Sequence, residues 1–447
     1  MFMEEKLFAA FEPATADAWK KRLEKDLKGI TFEDLSVTDR NGLTIHPFYT
    51  GEDLAVQPAP LNCNPGWDIC THITVQDAAS ANKEALEALN NGVSGLYFIL
   101  EQAVNPAVLL QEVQLPFIHS TFIFTPQSRN SAAAFAQYIR AQWPAGKVAT
   151  TYCSYDVVHH YLATGNWQES SAADQEDYLA FLEETTGIPS LSAATTLFHH
   201  AGANTTYELA CSLAMINEYL QLLDDKGLLA MQKTLQISMA ADTLFFEQIA
   251  KLRALRQLLP LLYQPYGIDL QLHLHAVTSD LYRAPFDRYS NLLRDTLAGM
   301  AAVIGGANSL YNRPFDGQGT TPFSRRMSRN QQLIFKEESY LDKVADIAAG
   351  SYYLETLTAQ IAEQAWGLFQ QIEQNGGLIA AFAAGTIKEQ IGQQAAQLVA
   401  DYRSGKRVLT GINKFPNPAD MPQPLAVTPN EGAGLHALNL SQQLLHD

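Results

Sequence analysis

The feature that most constrains this chain is a repeat. From residue 71 to about residue 316, short β-type runs alternate with helical runs and no low-complexity segment intervenes. The β-type runs are 71–76, 95–100, 117–125, 148–155, 191–198, 235–241, 270–278 and 309–315. The helical runs carry start and stop signals: Asp77 opens one and Gly92 stops it. Thr205-Thr-Tyr-Glu208 reads as a capping box ahead of Leu209, Leu213, Ile216, Leu220 and Leu223, with Gly227 at the end. Leu293, Leu297, Met300 and Ile304 stripe another helix before Gly305 and Gly306. Eight strand-helix units in roughly 250 residues fit a closed (β/α)8 TIM barrel better than an open sheet, which rarely needs eight consecutive crossovers. A doubly wound sheet is the alternative, but no G-x-G-x-x-G follows the first strand and no P-loop occurs.

The repeat divides the chain of 447 residues into three parts. Residues 1–65 form an arm and linker, with a charged helical stretch from Trp19 to Gly29, the segment Ile45-His-Pro-Phe-Tyr49, and a Pro-rich 57–65. Residues 66–340 hold the barrel. Residues 341–447 are a helical extension whose first helix carries Leu357, Ile361, Ala365, Leu368 and Ile372 on one face, ends at Gly376-Gly377, and leads to a Pro-rich tail near 416–424. A 47% apolar share supports a sizeable core. The net charge of -17 would repel a nucleic-acid backbone. No apolar run is long enough to span a bilayer, the N-terminus lacks the features of a signal peptide, and the four cysteines are too sparse for a disulfide scaffold, so a cytoplasmic location is expected.

In a barrel, chemistry sits at the C-terminal ends of the strands. His199 and His200 are expected to close the fifth strand, Asp242 the sixth and Asp316 the eighth, while His273-Leu-His275 puts two imidazoles on one face of the seventh. Such a set reads either as a metal-dependent hydrolase or, more plainly, as hydrogen-bonded structural histidines. His159 and His160 sit at a helix start and read as structural. The basic run Ser324-Arg-Arg-Met-Ser-Arg-Asn330 suits phosphate groups of a nucleotide-like ligand, or else an ion-paired helix beside Glu337 and Glu338.

The segment Ser324-Arg-Arg-Met-Ser-Arg-Asn-Gln-Gln-Leu-Ile-Phe-Lys-Glu-Glu-Ser339, followed by Gly350-Ser-Tyr-Tyr-Leu-Glu355, resembles the methylmalonyl-CoA mutase family. Further similarity lies at Phe245 to Ala254, at Ala301 to Leu310 with Pro314-Phe-Asp316, and at Ala201-Gly-Ala203 leading to Glu208-Leu-Ala210; the resemblance covers about residues 10 to 415. It implies a TIM barrel whose axis admits a CoA thioester, a separate cobalamin-binding domain, and an adenosylcobalamin-dependent rearrangement between succinyl-CoA and methylmalonyl-CoA.

The departures from the family pattern matter as much. Catalytic members carry Y-H-M-Q-E-A-G-A, whose histidine bonds the thioester carbonyl; here Thr196 to Ala203 puts Leu197 in that place, with His199 one strand step on. Trp67-Asp-Ile-Cys-Thr-His72 loses the tyrosine that shields the radical, Thr234 and Gln236 replace an R-x-S pair, and His275-Ala-Val277 keeps a histidine but loses a glutamine. No D-x-H-x-x-G cobalamin motif occurs. The resemblance therefore implies a small, non-catalytic subunit that stabilises a large catalytic subunit in a heterodimer, with the cofactor belonging to the complex, and with the Trp19 to Gly29 arm and Ile45 to Tyr49 as partner contacts. On this reading no residue is confidently catalytic; His199, His200, Gln236, His275 and Asn308 are candidate substrate-channel residues, acyl-CoA is a possible ligand, and no metal is expected. A split acyl-CoA mutase, active with a separate cobalamin-binding chain, is the second reading, and the metal-dependent hydrolase the third.

Overall fold

The computed structural model describes residues 14–54, 61, 63, 65–143, 150–317, 320–417 and 432–445. Most of the Pro-rich stretches at 57–65 and 416–424, and the start of the strand expected over 148–155, lie outside them. The first described element of the arm is a helix, Ala16–Asp26, capped by the Thr15 hydroxyl; none of its residues is buried. A small hairpin of β1 (Val37–Thr38) and β2 (Thr44–Ile45) follows. Arg40 Nη2 donates to Gly202 O at 2.5 Å and Asn41 Nδ2 to Glu247 Oε1 at 3.1 Å, so the hairpin is tied to the rim of the main body.

That body is the expected barrel. Its strands are β3 (Asp68–Val75), β4 (Gly95–Leu100), β5 (His119–Phe124), β6 (Thr151–Ser154), β7 (Ser192–Ala194), β8 (Thr234–Ala241), β9 (Gln271–Thr278) and β10 (Ser309–Tyr311). They run in the order β6-β5-β4-β3-β10-β9-β8-β7, every neighbouring pair parallel. No ladder joins β6 to β7 among the described residues. Cys153 N donates to Pro189 O at 3.0 Å and the Ser154 and Ser192 hydroxyls meet at 2.7 Å, which closes the ring at a seam. Along each strand alternate residues face outward; Ile69, Ile73, Val75, Leu96, Phe98, Leu100, Phe122 and Phe124 are all buried under the helical layer. The residues between them point into the bore.

Four local expectations are corrected. The strand expected over 191–198 ends at Ala194, because the Thr195 N–H and hydroxyl both bond Ser238 O at 3.0 Å and finish the ladder. The helix Thr196–His200 follows, so His199 and His200 do not close a strand, and Leu197 and His199 do not share a side. The strand expected over 309–315 stops at Tyr311: Arg313 N turns to the Thr278 hydroxyl at 2.9 Å, Pro314 has no N–H, and Asp316 lies beyond the strand, accepting from Thr321 N at 3.1 Å. The capping box shifts by one residue, since Asn204 caps the helix Thr205–Asp225 through Tyr207 N at 3.0 Å and leaves Glu208 to another partner. In the helix Arg288–Ile304, Leu293 and Leu297 face outward at 67% and 46% exposure, while Asn291, Asp295, Ala298 and Ala302 form the inner face, where small and hydrogen-bonded side chains permit close approach.

The helix Tyr352–Gln374 lays Leu357, Ile361, Ala365 and Ile372 against the helices Thr205–Asp225 and Phe245–Tyr263, within the same apolar cluster as the barrel wall. Leu368 of the expected stripe is only partly buried. Fully buried Arg253 forks between Asp346 and Glu355, reaching Glu355 Oε2 at 2.7 Å, and fixes the linker to that helix. Gly202, where the arm hairpin is tied, has φ +102° and an added Cβ would lie 2.7 Å from Ala395 Cβ. Gly202→Ala is expected to cost about 2 kcal/mol, read as a lower urea midpoint; a change under a few tenths would show that the contact relaxes freely.

Candidate functional site

The alternation that buries one face of each strand fills the bore with the other. His72 from β3, Tyr97 from β4, His119 and Thr121 from β5, Tyr152 from β6, Gln236 from β8, His273 and His275 from β9, and Ser309 and Tyr311 from β10 occupy the axis. Their rings stack: Tyr97 on His275 at 3.8 Å between centroids, His119 on His273 at 4.2 Å, and His72 on Tyr311 at 4.0 Å. One hydrogen-bond network joins them. The Ser309 hydroxyl meets His275 Nδ1 at 2.8 Å, His273 Nε2 at 2.9 Å and Tyr97 at 3.1 Å. Gln236 Nε2 donates to the Tyr97 oxygen at 3.0 Å and to Thr121 at 2.8 Å, and the two Nε2 atoms of His72 and His275 face each other at 2.9 Å.

Burial keeps these imidazoles neutral. His72 and His273 are each pushed down to about 3, first by loss of solvent and then by the positive charge of Arg313 and Arg256 respectively. His119 and His275 lie well below the ordinary histidine range for the same first reason, with neighbouring imidazoles adding to it. A neutral imidazole donates from one nitrogen and accepts at the other, which is what allows Ser309 and the His72–His275 contact to be satisfied together.

Above this plug, at the C-terminal mouth, lies a cavity of about 420 Å³. Its floor is His72, Tyr97, Gln236 and His275; Ile99, Ile123 and Val277 line its apolar wall, and Arg313 stands at its edge. His159 and His160, read from the sequence as structural, also line it, although His159 Nδ1 donates to Ala194 O at 2.8 Å. Asp156 in the same wall is spent on Ala194 N at 2.7 Å, Tyr219 at 2.6 Å and His159 N at 2.8 Å.

Of the expected channel residues, Gln236 and His275 are brought together in the plug. Asn308 is not with them: it precedes β10 at the opposite end, where its Oδ1 accepts from Leu274 N at 2.9 Å and Arg256 Nη2 at 2.8 Å. His199 and Leu197 are buried beside the barrel rather than in the cavity wall, Leu197 within the apolar core. His199 instead joins a buried polar cluster. Its Nε2 meets the Ser279 hydroxyl at 2.8 Å and lies 3.8 Å from Asp242; its Nδ1 is 3.5 Å from Glu208 Oε2. Lys251 Nζ holds both Glu208 oxygens at 3.0 and 3.1 Å and donates to Ala240 O at 2.7 Å. Burial alone would raise the Glu208 carboxyl; Lys251 and His199 outweigh it and hold it below its usual range. His200 turns edge-on to His199 and is likewise held well below the histidine range, chiefly by burial.

Sequence reasoning missed His72, Tyr97, His119 and Tyr152. A signal for them exists: each sits at an alternate position in its strand, and in β4 the face opposite Tyr97 is wholly apolar, with Leu96, Phe98 and Leu100. His273 and His275 do share a face, but both converge on Ser309, and among the described residues no group of three His, Cys, Asp or Glu side chains is disposed to hold a metal ion. In the basic run Arg325 Nη1 meets Glu84 Oε1 of the helix Ala78–Asn90 at 3.3 Å, and among the described residues no ion pair joins the run to Glu337 or Glu338. No helix among the described residues is long and apolar enough to cross a membrane.

Comparison with known proteins agrees with the barrel and its motifs. The family model for methylmalonyl-CoA mutase matches residues 107–441. A methylmalonyl-CoA mutase small subunit from Porphyromonas gingivalis is 31% identical over 93% of this chain and 72% of its own length. One from Streptomyces virginiae is 32% identical over 92% of this chain and 72% of its own length. Among solved structures, the methanol:cobalamin methyltransferase complex of Methanosarcina barkeri is matched at 10% identity with a TM-score of 0.29, covering 85% of this chain and 95% of that one.

Proposed function

This chain belongs to the methylmalonyl-CoA mutase family, and from that premise we propose that it is an accessory subunit whose own barrel does not turn over acyl-CoA. The filled bore carries this reading. A thioester drawn along the axis would need the space that the Tyr97–His275 and His119–His273 stacks occupy at 3.8 and 4.2 Å. Clearing it means breaking a network in which Ser309, Tyr97 and Gln236 each satisfy two or more partners. Leu197, in the place the family gives to a hydrogen-bonding histidine, is core. Adenosylcobalamin, which mutases of this family use, is assigned in this proposal to the complex and not to this chain, because the plug leaves no path from the axis to a radical at the mouth.

The role left to such a barrel is to stabilise a large catalytic subunit. The relatives that carry the name small subunit support a heterodimer, and the arm supports the place of contact, since Trp19, Val37 and Phe48 stand exposed on it. The test is co-expression with a large mutase subunit from the same source. The purified pair is expected to interconvert succinyl-CoA and methylmalonyl-CoA with added adenosylcobalamin, while this chain alone gives no turnover. Turnover by the chain alone, or with only a small cobalamin-binding chain, overturns the proposal in favour of a split enzyme.

A further inference from the structure

We infer that the groove between the first and last helices of the barrel is a binding site for a nucleoside phosphate. It is a cavity of about 350 Å³ on the flank of the barrel and shares no lining residue with the mouth. One wall is the helix Ala78–Asn90 and the other the helix Pro322–Glu337; Thr71 and Tyr311 form its floor. This volume lies within the range of small-ligand sites.

The charge arrangement names the ligand. Arg325, Arg326 and Arg329 all face the groove from one helix, in a chain whose net charge is -17. Glu84 takes Arg325 at 3.3 Å, but both side chains are more than a third exposed and such a pair is weak enough to yield. Arg326 has no ion pair among the described residues. Arg329 is held below the ordinary arginine range by burial; Glu87 opposes this and the like charge of Arg326 adds to it. Two crowded, incompletely neutralised guanidiniums beside a cavity form a fork that a phosphate group satisfies with charge-assisted hydrogen bonds. The rest of the groove suits a base more than a bare anion. Phe323 offers aromatic surface, and Glu84, Glu87 and Asn91 offer acceptors for ring and exocyclic N–H groups.

The site is independent of whether the barrel is catalytic, so its test uses binding to the full chain without a partner. Calorimetric titrations with ADP, adenosine and inorganic phosphate, at low and at physiological salt, separate the two halves of the ligand. ADP is expected to saturate one site, to bind at least about tenfold more tightly than either adenosine or phosphate, and to weaken with added salt. Arg326 is exposed, so R326Q should fold normally; it is expected to lower ADP affinity about tenfold, and R326Q/R329Q about a hundredfold. R22Q, on the exposed arm helix, should leave it unchanged. Absence of saturable ADP binding at low salt, an affinity unmoved by R326Q, or phosphate binding as tightly as ADP would each overturn the assignment.

Discussion

Acidification from pH 7.5 to 5.0 is expected to remove most of the stability of this protein. The four bore histidines, His72, His119, His273 and His275, have folded-state values far below that of the unfolded chain. A group with a depressed folded value binds fewer protons folded than unfolded, so its contribution is present above about pH 6.5 and is lost as pH falls toward the folded value near 3. Each histidine then costs roughly 2 kcal/mol between pH 7.5 and 5, and the four together ~8 kcal/mol, against a typical domain stability of 5–15 kcal/mol. Asp295 works the other way, since its buried carboxyl is pushed up to about 6, but a single group of that kind returns only about 1 kcal/mol over this window.

Urea unfolding at half-unit pH steps is the measurement, followed by fluorescence. A slope approaching 5 kcal/mol per pH unit near pH 5 is expected, falling by about half in H72N/H275N. A midpoint that stays level between pH 7 and 5 would mean that the imidazoles are hydrated or charged in the folded protein, and the closed-bore reading would fail with it.

Lys251→Met is expected to destabilise the protein by roughly 3–5 kcal/mol, because it leaves Glu208 charged and without its cation at a position with no solvent exposure. The double variant E208Q/K251M removes both charges and should recover a large share of the loss, the interaction energy appearing as non-additivity of the cycle. Thermal unfolding of the single and double variants checks both points. A loss below about 1 kcal/mol for Lys251→Met would show that water reaches the cluster and screens it.

Much of the fold was legible because it depends on periodicity. The outward faces of β4 and β5 read as apolar runs bounded by turn residues, and the helices after β3 and β7 carry plain stop signals at Gly92 and Gly227. The candidate site was less legible, for a reason specific to this barrel. Motif comparison directs attention to strand ends, where Leu197, His199 and His200 stand in sequence, yet the chain leaves the strand after Ala194 and carries all three away from the mouth. Nothing local in Thr196 to His200 opposes strand conformation; the change is made by Thr195 bonding Ser238 on the neighbouring strand β8, a partner more than forty residues away. The plug was hidden differently. His72, Tyr97 and His119 come from separate strands, and no property of one strand reveals that their rings will meet. The outward Leu293 and Leu297 show the same limit in reverse, since amphipathic spacing locates an apolar face but does not say which side the barrel will use.

The seam between β6 and β7 has a mechanical consequence. Among the described residues, a ring of eight staves with seven continuous ladders and one joint made by a single backbone bond and two hydroxyls is compliant at that joint and stiff elsewhere. Lateral load on the rim would be taken up there as a hinge-like widening, with the stacked rings of the axis acting as a hub that limits how far the staves can part. Amide exchange at Cys153 should therefore report strain on the whole circumference, the way a gap in a hoop opens before the metal yields.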